Sequence, residues 1–231
     1  MFEISPTEWT AILLSLRVAV IATLVATPFG IALAWLLARR EFWGKSILDA
    51  AVHLPLVLPP VVTGYLLLLT FGRRGLVGAW LADNLGIVFA FRWTGAALAC
   101  GVMSFPLLVR PIRLSIEAID RRLEQASSTL GAAPWRVFAT VTLPLALPGI
   151  LAGMVLGFAK AIGEFGATIT FVSNIPGETQ TISSAIYSLI QTPDGDSAAG
   201  RLVVVSTVIA MSALIASEWF ARRATKRLHG N

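Results

Sequence analysis

Five stretches of this chain, at about residues 10–38, 50–71, 93–110, 143–165 and 200–220, are apolar over the length needed to cross a bilayer. A helix rising ~1.5 Å per residue takes ~20 residues to traverse a hydrocarbon core of ~30 Å. No water reaches the backbone there, so each stretch has to satisfy its own amides and carbonyls as a helix. The expected fold is an all-α polytopic membrane protein with five transmembrane helices, a single domain over residues 1–231. Only 13% of the residues are charged, against roughly 25% in soluble domains. Glu3 and Glu8 precede the first stretch with no basic residue between them, which speaks against a cleavable leader. Ile182 to Gln191 is apolar but too short to cross, and reads as an interfacial or re-entrant helix.

A net charge of +5 fits nucleic acid or an anionic lipid surface, but in a chain with spans the placement of the cations matters more than their sum. One set of connections carries Arg39, Arg40, Lys45, Arg110, Arg113, Arg121, Arg122, Arg136, Arg222, Arg223, Lys226 and Arg227. The alternate set, with the adjoining span ends, carries Arg73, Arg74, Arg92 and Arg201. The excess puts the loop 111–142 and the C-terminus in the cytoplasm and the N-terminus outside. Membrane lipid is therefore the expected surface partner, with no nucleic acid.

The spans carry prolines and glycines: Pro55, Pro59, Pro60 and Gly64 in the second, and Pro144, Pro148, Gly149, Gly153, Gly157, Gly163 and Gly166 in and just after the fourth. Such residues free carbonyls and let helices approach closely, as tight packing or a moving bundle requires. Three charges also lie within the spans: Arg17, Lys160 and Glu164. Each costs on the order of 3 kcal/mol at a helix centre. Lys160 and Glu164 are four apart, on one face of a helix, and either neutralise each other as a lock or line a hydrated path. In the second reading Arg17 and Lys160 attract an anion, Glu164 holds the gate closed, and Arg17 meets Glu164 at similar depth.

The loop 111–142 reads as two helices. Ile116, Ile119, Leu123, Ala126 and Leu130 recur at helical spacing, Gly131 supplies a left-handed stop, and Pro134 opens a second helix with the stripe Trp135, Phe138 and Ala139. Pro144 then turns the chain into the membrane. A bend built this way projects a knob on which Trp135 and Arg136 can anchor a partner.

These residues resemble the cytoplasmic-loop signature of importer-type ABC permeases: a glycine, nine residues, an aliphatic residue, any residue, then Leu-Pro, here Gly131 followed by Val141, Thr142, Leu143 and Pro144. Where that family has Glu-Ala-Ala this chain has Gln125-Ala126-Ser127, with Glu124 one place early. Gly163-Glu164-Phe165-Gly166-Ala167, Phe171 to Thr179, Leu58 to Tyr65 and Met103-Ser104-Phe105-Pro106 are similar to molybdate permease subunits, and sulfate permeases share the Gly-Glu-Phe-Gly element.

The resemblance implies a permease importing molybdate, with tungstate accompanying it and sulfate as the alternative, at the cytoplasmic membrane. It implies a second copy of the chain, two cytoplasmic ABC ATPase subunits that use ATP and Mg, and a soluble outer molybdate-binding protein. Gly131, Ala132, Ala133, Pro134, Trp135 and Arg136 would be the ATPase-coupling residues, and Arg17, Lys160, Glu164 and Phe165 the translocation path or gate.

The chain itself offers no site for hydrolysis: Gly44-Lys45-Ser46 would need a glycine where Arg39 stands to form a phosphate loop. His53 and His229 are isolated from other ligand types, so neither a metal, a bound cofactor nor a catalytic residue is expected. A membrane-embedded enzyme would need more polar groups converging at one depth, and a passive anchor subunit would not need the charges within the spans.

Overall fold

The computed structural model describes residues 4–229, with side chains described for residues 4–216; Glu3 and the side chains of Arg222, Arg223, Lys226, Arg227 and His229 lie outside the described residues. The described residues are helical with connecting turns, and contain no strand. Helix α1, Pro6–Arg39, starts from a capping box in which Ser5 accepts the Glu8 amide and Glu8 accepts the Ser5 amide. Its 34 residues make ~51 Å, so α1 extends well past a ~30 Å core. Glu8 also pairs at 3.0 Å with Arg201 of α11, Asp196–His229, fastening the starts of the two helices together.

The second expected span is not one rod. Helices α2, Lys45–Val57, and α3, Pro60–Phe71, meet at a bend of 115°. Pro59 and Pro60 donate no amide, and a residue before proline is driven from helical to extended backbone; Leu58 sits at φ −70°, ψ 144°. The turn-forming loop 72–92 contains a further helix, α4, Leu76–Leu85.

Helix α5, Trp93–Glu117, runs beyond the expected end at residue 110, parallel in sense to α1. The expected amphipathic helix from Ile116 to Leu130 is instead divided. Ile116 belongs to α5, the chain breaks at Ala118–Asp120, and Asp120 caps a new helix α6, Arg121–Thr129, by accepting the Arg122 amide at 2.9 Å.

A helix then runs without interruption from Pro134 to Ile162, comprising α7, Pro134–Val137, a π turn, Phe138–Thr142, and α8, Leu143–Ile162. Pro144 therefore does not turn the chain into the membrane. The π turn, closed by the Leu143 amide on the Phe138 carbonyl five residues back, lies just ahead of Pro144 and takes up the register change. The fourth span ends at Ile162 rather than 165; Gly163–Phe165 are not helical, and α9, Gly166–Val172, follows.

Among the described residues four helices are long and apolar enough to cross a membrane, or five when the bent pair α2–α3 is counted as one span. The core lies where α5 packs between α1 and α8, with Gly149, Gly153 and Gly157 on the side of α8 that meets α5. One apolar cluster, including Val18, Met103 and Phe171, fills the half near the α1 N-terminus; another, including Leu108, Ile112 and Ile150, fills the opposite half. The short helix α10, Ile182–Leu189, is not afloat at the interface. Ile182 and Ala185 are buried with Ala11, Ile12 and Leu202, and the Ile182 amide donates to Ser15 Oγ at 2.7 Å.

Candidate functional site

Two places concentrate the unusual chemistry: the knuckle between α6 and α7, and the crossing of α3 with α9. At the knuckle, Gly131 has φ +86°, the Gly131 amide donates to Ser128 O at 3.0 Å and the Ala132 amide to Ser127 O at 3.2 Å. This pair of bonds closes the end of α6 and reverses the chain, a backbone that glycine adopts without a Cβ penalty. Ala133 is extended and Pro134 occupies the first turn of α7.

The side chains of the knuckle point outward to an unusual degree. Leu130 is 89% and Trp135 67% exposed, and Arg136 lies over the Trp135 ring at 5.4 Å. The stripe Trp135, Phe138 and Ala139 does not face one way: Trp135 and Ala139 face out, Phe138 meets Trp35 edge-on at 6.2 Å, and Val137 and Thr142 face inward. The π turn sets this face, because its extra residue rotates the start of the helix relative to α8.

Glu124 is the residue that sequence reasoning missed. Its carboxylate is 3.0 Å from Arg39 Nε at the end of α1 and accepts the Thr142 hydroxyl in the π turn at 2.6 Å, while Arg39 Nη2 also donates to the Ile119 carbonyl at 3.2 Å. One carboxylate thus joins α1, α6 and the root of α8. The displaced acidic position in the loop motif was the only signal pointing to it.

At the crossing, α3, the second half of the bent pair, and α9, the short helix that follows α8, lie against each other. A Cβ on Gly64 would stand 2.5 Å from the Ala167 carbonyl oxygen, and one on Gly166 2.7 Å from Pro60 Cβ. Glu164 sits in the break ahead of α9, 1% exposed. Its Oε2 is 2.6 Å from Lys160 Nζ and its Oε1 accepts the Ala167 amide at 3.0 Å, so the carboxylate both neutralises Lys160 and caps α9. Lys160 keeps 30% of its side chain exposed, and Phe165 packs on Tyr187 at 4.9 Å between ring centroids. The hydroxyl of buried Thr63, beside Gly64, has no partner among the described residues.

The expected meeting of Arg17 with Glu164 does not occur. The Arg17 guanidinium lies 3.8 Å over the ring of Trp93, and Glu164 is paired with Lys160. Lys160, Glu164 and Phe165 come together; Arg17 stands apart from them. Glu164 is also not on the helical face shared with Lys160, since α8 has already ended.

Residues 26–229 match the family model described as binding-protein-dependent transport system inner membrane component. The chain is 62% identical over 220 residues to the molybdenum transport system permease protein ModB of Escherichia coli (strain K12), covering 95% of this chain and 96% of that protein. It is 57% identical over 221 residues to the protein of the same name from Haemophilus influenzae, covering 96% of each. Its fold is similar to that in a crystal structure of a bacterial ABC transporter involved in the import of the acidic polysaccharide alginate, with a TM-score of 0.72 at 20% identity over 95% of this chain and 80% of that one.

Proposed function

Because the chain belongs to the family of inner membrane components of binding-protein-dependent transport systems, we propose that it is the permease subunit through which an ATP-driven importer moves molybdate, and tungstate with it. It is a multi-pass membrane transport subunit and not an enzyme. The observation that carries the substrate is the 62% identity, over nearly the whole chain, to a protein named as a molybdenum permease.

In this reading the knuckle 131–136 seats in a groove of a separate cytoplasmic ATPase that binds ATP and Mg. Its left-handed glycine and proline-opened helix make it stiff, and the exposed Trp135 and Leu130 have no other surface to cover among the described residues. Two copies of the chain enclose the path, with the α3–α9 crossings toward it. Lys160 is the cation available to an oxyanion there, and Glu164 competes for it as an internal carboxylate. When the paired ATPases close, the two knuckles approach, and the half-helices separate or meet to open one side and shut the other. A soluble outer protein delivers the oxyanion to the side bearing α4 and α10.

Vesicles holding the chain, its ATPase and an oxyanion-binding protein are expected to accumulate molybdate in an ATP-dependent way that excess sulfate leaves largely unaffected; sulfate uptake matching molybdate uptake would overturn the substrate. Glu164→Gln keeps a hydrogen bond to the Ala167 amide but leaves the Lys160 charge without its partner, a cost of ~3 kcal/mol in a span. The expected result is ATP hydrolysis that no longer follows substrate supply, together with a lowered unfolding midpoint. Uptake and its coupling to ATP hydrolysis both unchanged, with only the midpoint lowered, would make Glu164 scaffold alone.

Trp135→Ala is expected to weaken ATPase binding by about thirtyfold, the loss of one interface anchor worth ~2 kcal/mol. Pull-down at graded salt reads this directly, and a photo-reactive residue at Pro134 should capture the ATPase.

A further inference from the structure

Beyond the path and the knuckle, an open cavity of about 670 Å³ lies between α1, α2 and α5. Ile21, Val25 and Phe29 form one wall and Trp93, Gly101 and Phe105 the other. On each helix these residues fall at intervals of four or a multiple of four, so each wall is a ridge inclined to the helix axis. The row on α1 continues one turn back to Arg17, whose guanidinium rests on the Trp93 ring at the head of the other row. From Trp93 to Phe105 the groove is about 18 Å long, the reach of a fatty acyl chain through one leaflet. Gly101 gives it depth, because the nearest atom to a Cβ there is 3.9 Å away.

Arg17 is exposed and, among the described residues, pairs with no carboxylate. The aromatic ring beneath it attracts one face of the guanidinium through its quadrupole and leaves the outward side open. Directly below lies an apolar slot. A cation over a tryptophan, at the head of a slot the length of a fatty chain, matches an amphiphile with an anionic head. A small oxyanion would use the Arg17 end and leave the slot empty.

We infer that the groove holds one phospholipid of the leaflet in which α1 and α5 begin, with its phosphate on Arg17 and one acyl chain along Ile21–Phe29 and Gly101–Phe105. Arg17 is then a lipid ligand that holds the α1–α5 face in register with the bilayer.

The test uses the full chain with its ATPase partner in detergent, given phosphatidylglycerol carrying a diazirine near the end of one acyl chain. Labelled peptides are mapped by mass spectrometry, and label in the groove is divided by label on Val204, Val208 and Met211 of α11, which also face outward. The expected ratio is well above one. Arg17→Gln lowers it about fivefold and Arg17→Lys preserves it, as one surface cation on an anionic lipid requires. Gly101→Leu, which fills the slot and keeps the cation, lowers it about tenfold. Diacylglycerol with the same diazirine gives the ratio of Arg17→Gln.

Four results would overturn the inference. Groove and α11 could label equally, or Arg17→Gln could label as the parent does. Inorganic phosphate or molybdate could displace the lipid label, assigning Arg17 to a free oxyanion. A photo-reactive residue placed at Val25 could instead cross-link to a second copy of the chain.

Discussion

Gly64→Leu is expected to yield little folded permease, and what folds should unfold well below the parent. The side chain would start 2.5 Å from the Ala167 carbonyl oxygen and 2.9 Å from Ala167 Cα, both backbone atoms of α9 that have no rotamer by which to retreat. Overpacking a close contact costs ~1–3 kcal/mol when side chains can shift, and the upper end or beyond applies when the obstacle is backbone. Against a total stability of ~5–15 kcal/mol, that is a large fraction.

Gly200→Ala on α11, where nothing lies within 4 Å of the new Cβ, is the matched control and should leave the midpoint unchanged or slightly raised. Size-exclusion of fluorescently tagged protein after a heating series reads both. A Gly64→Leu midpoint equal to that of Gly200→Ala would mean that α3 and α9 do not touch, and the crossing would lose its role as the moving contact.

The reason the crossing exists at all was partly legible in the chain. Pro59 and Pro60 announced a weak point in the second span, because two successive residues without amides cannot continue a helix. The sharpness of the bend was not legible, since 115° is set by what α3 packs against, and that is the glycine face at Gly64 and the break at Gly163–Phe165, about a hundred residues later in sequence. The stop at Gly131 and the start at Pro134 could be read directly, because a left-handed glycine and a first-turn proline are local requirements.

The turn Ile175 to Glu178 is set by the same kind of local requirement: Pro176-Gly177 sits at its centre, with Gly177 at φ +80° and the Glu178 amide on Ile175 O at 3.0 Å. Arg17 went astray for the opposite reason. Sequence position fixes how deep a residue lies along its helix, but its direction around the axis relative to other helices depends on packing. Trp93 occupied the direction that had been assigned to Glu164.

Glu124 combines both kinds of information, and its removal is expected to have the second large effect. Glu124→Ala strands Arg39, whose side chain is only 8% exposed, and frees the Thr142 hydroxyl inside the root of α8. Breaking a pair this enclosed by deleting one partner costs ~3–5 kcal/mol, most of it from the charge left behind. The same substitution in an Arg39→Ala background should therefore cost much less, with a coupling energy of at least ~1 kcal/mol between the two sites.

The functional consequence separates a brace from a mere stabiliser. The exposed face of the knuckle, Leu130, Trp135 and Arg136, is untouched by the change, so the ATPase should still bind and hydrolyse ATP. Its pull, however, would no longer reach α1 through Arg39 or α8 through Thr142, and uptake per ATP hydrolysed should fall more steeply than stability alone explains. Glu124→Gln, which can still accept both hydrogen bonds, should recover much of the uptake. If Glu124→Ala instead loses ATPase binding in proportion to uptake, the carboxylate belongs to the docking surface and not to the linkage behind it.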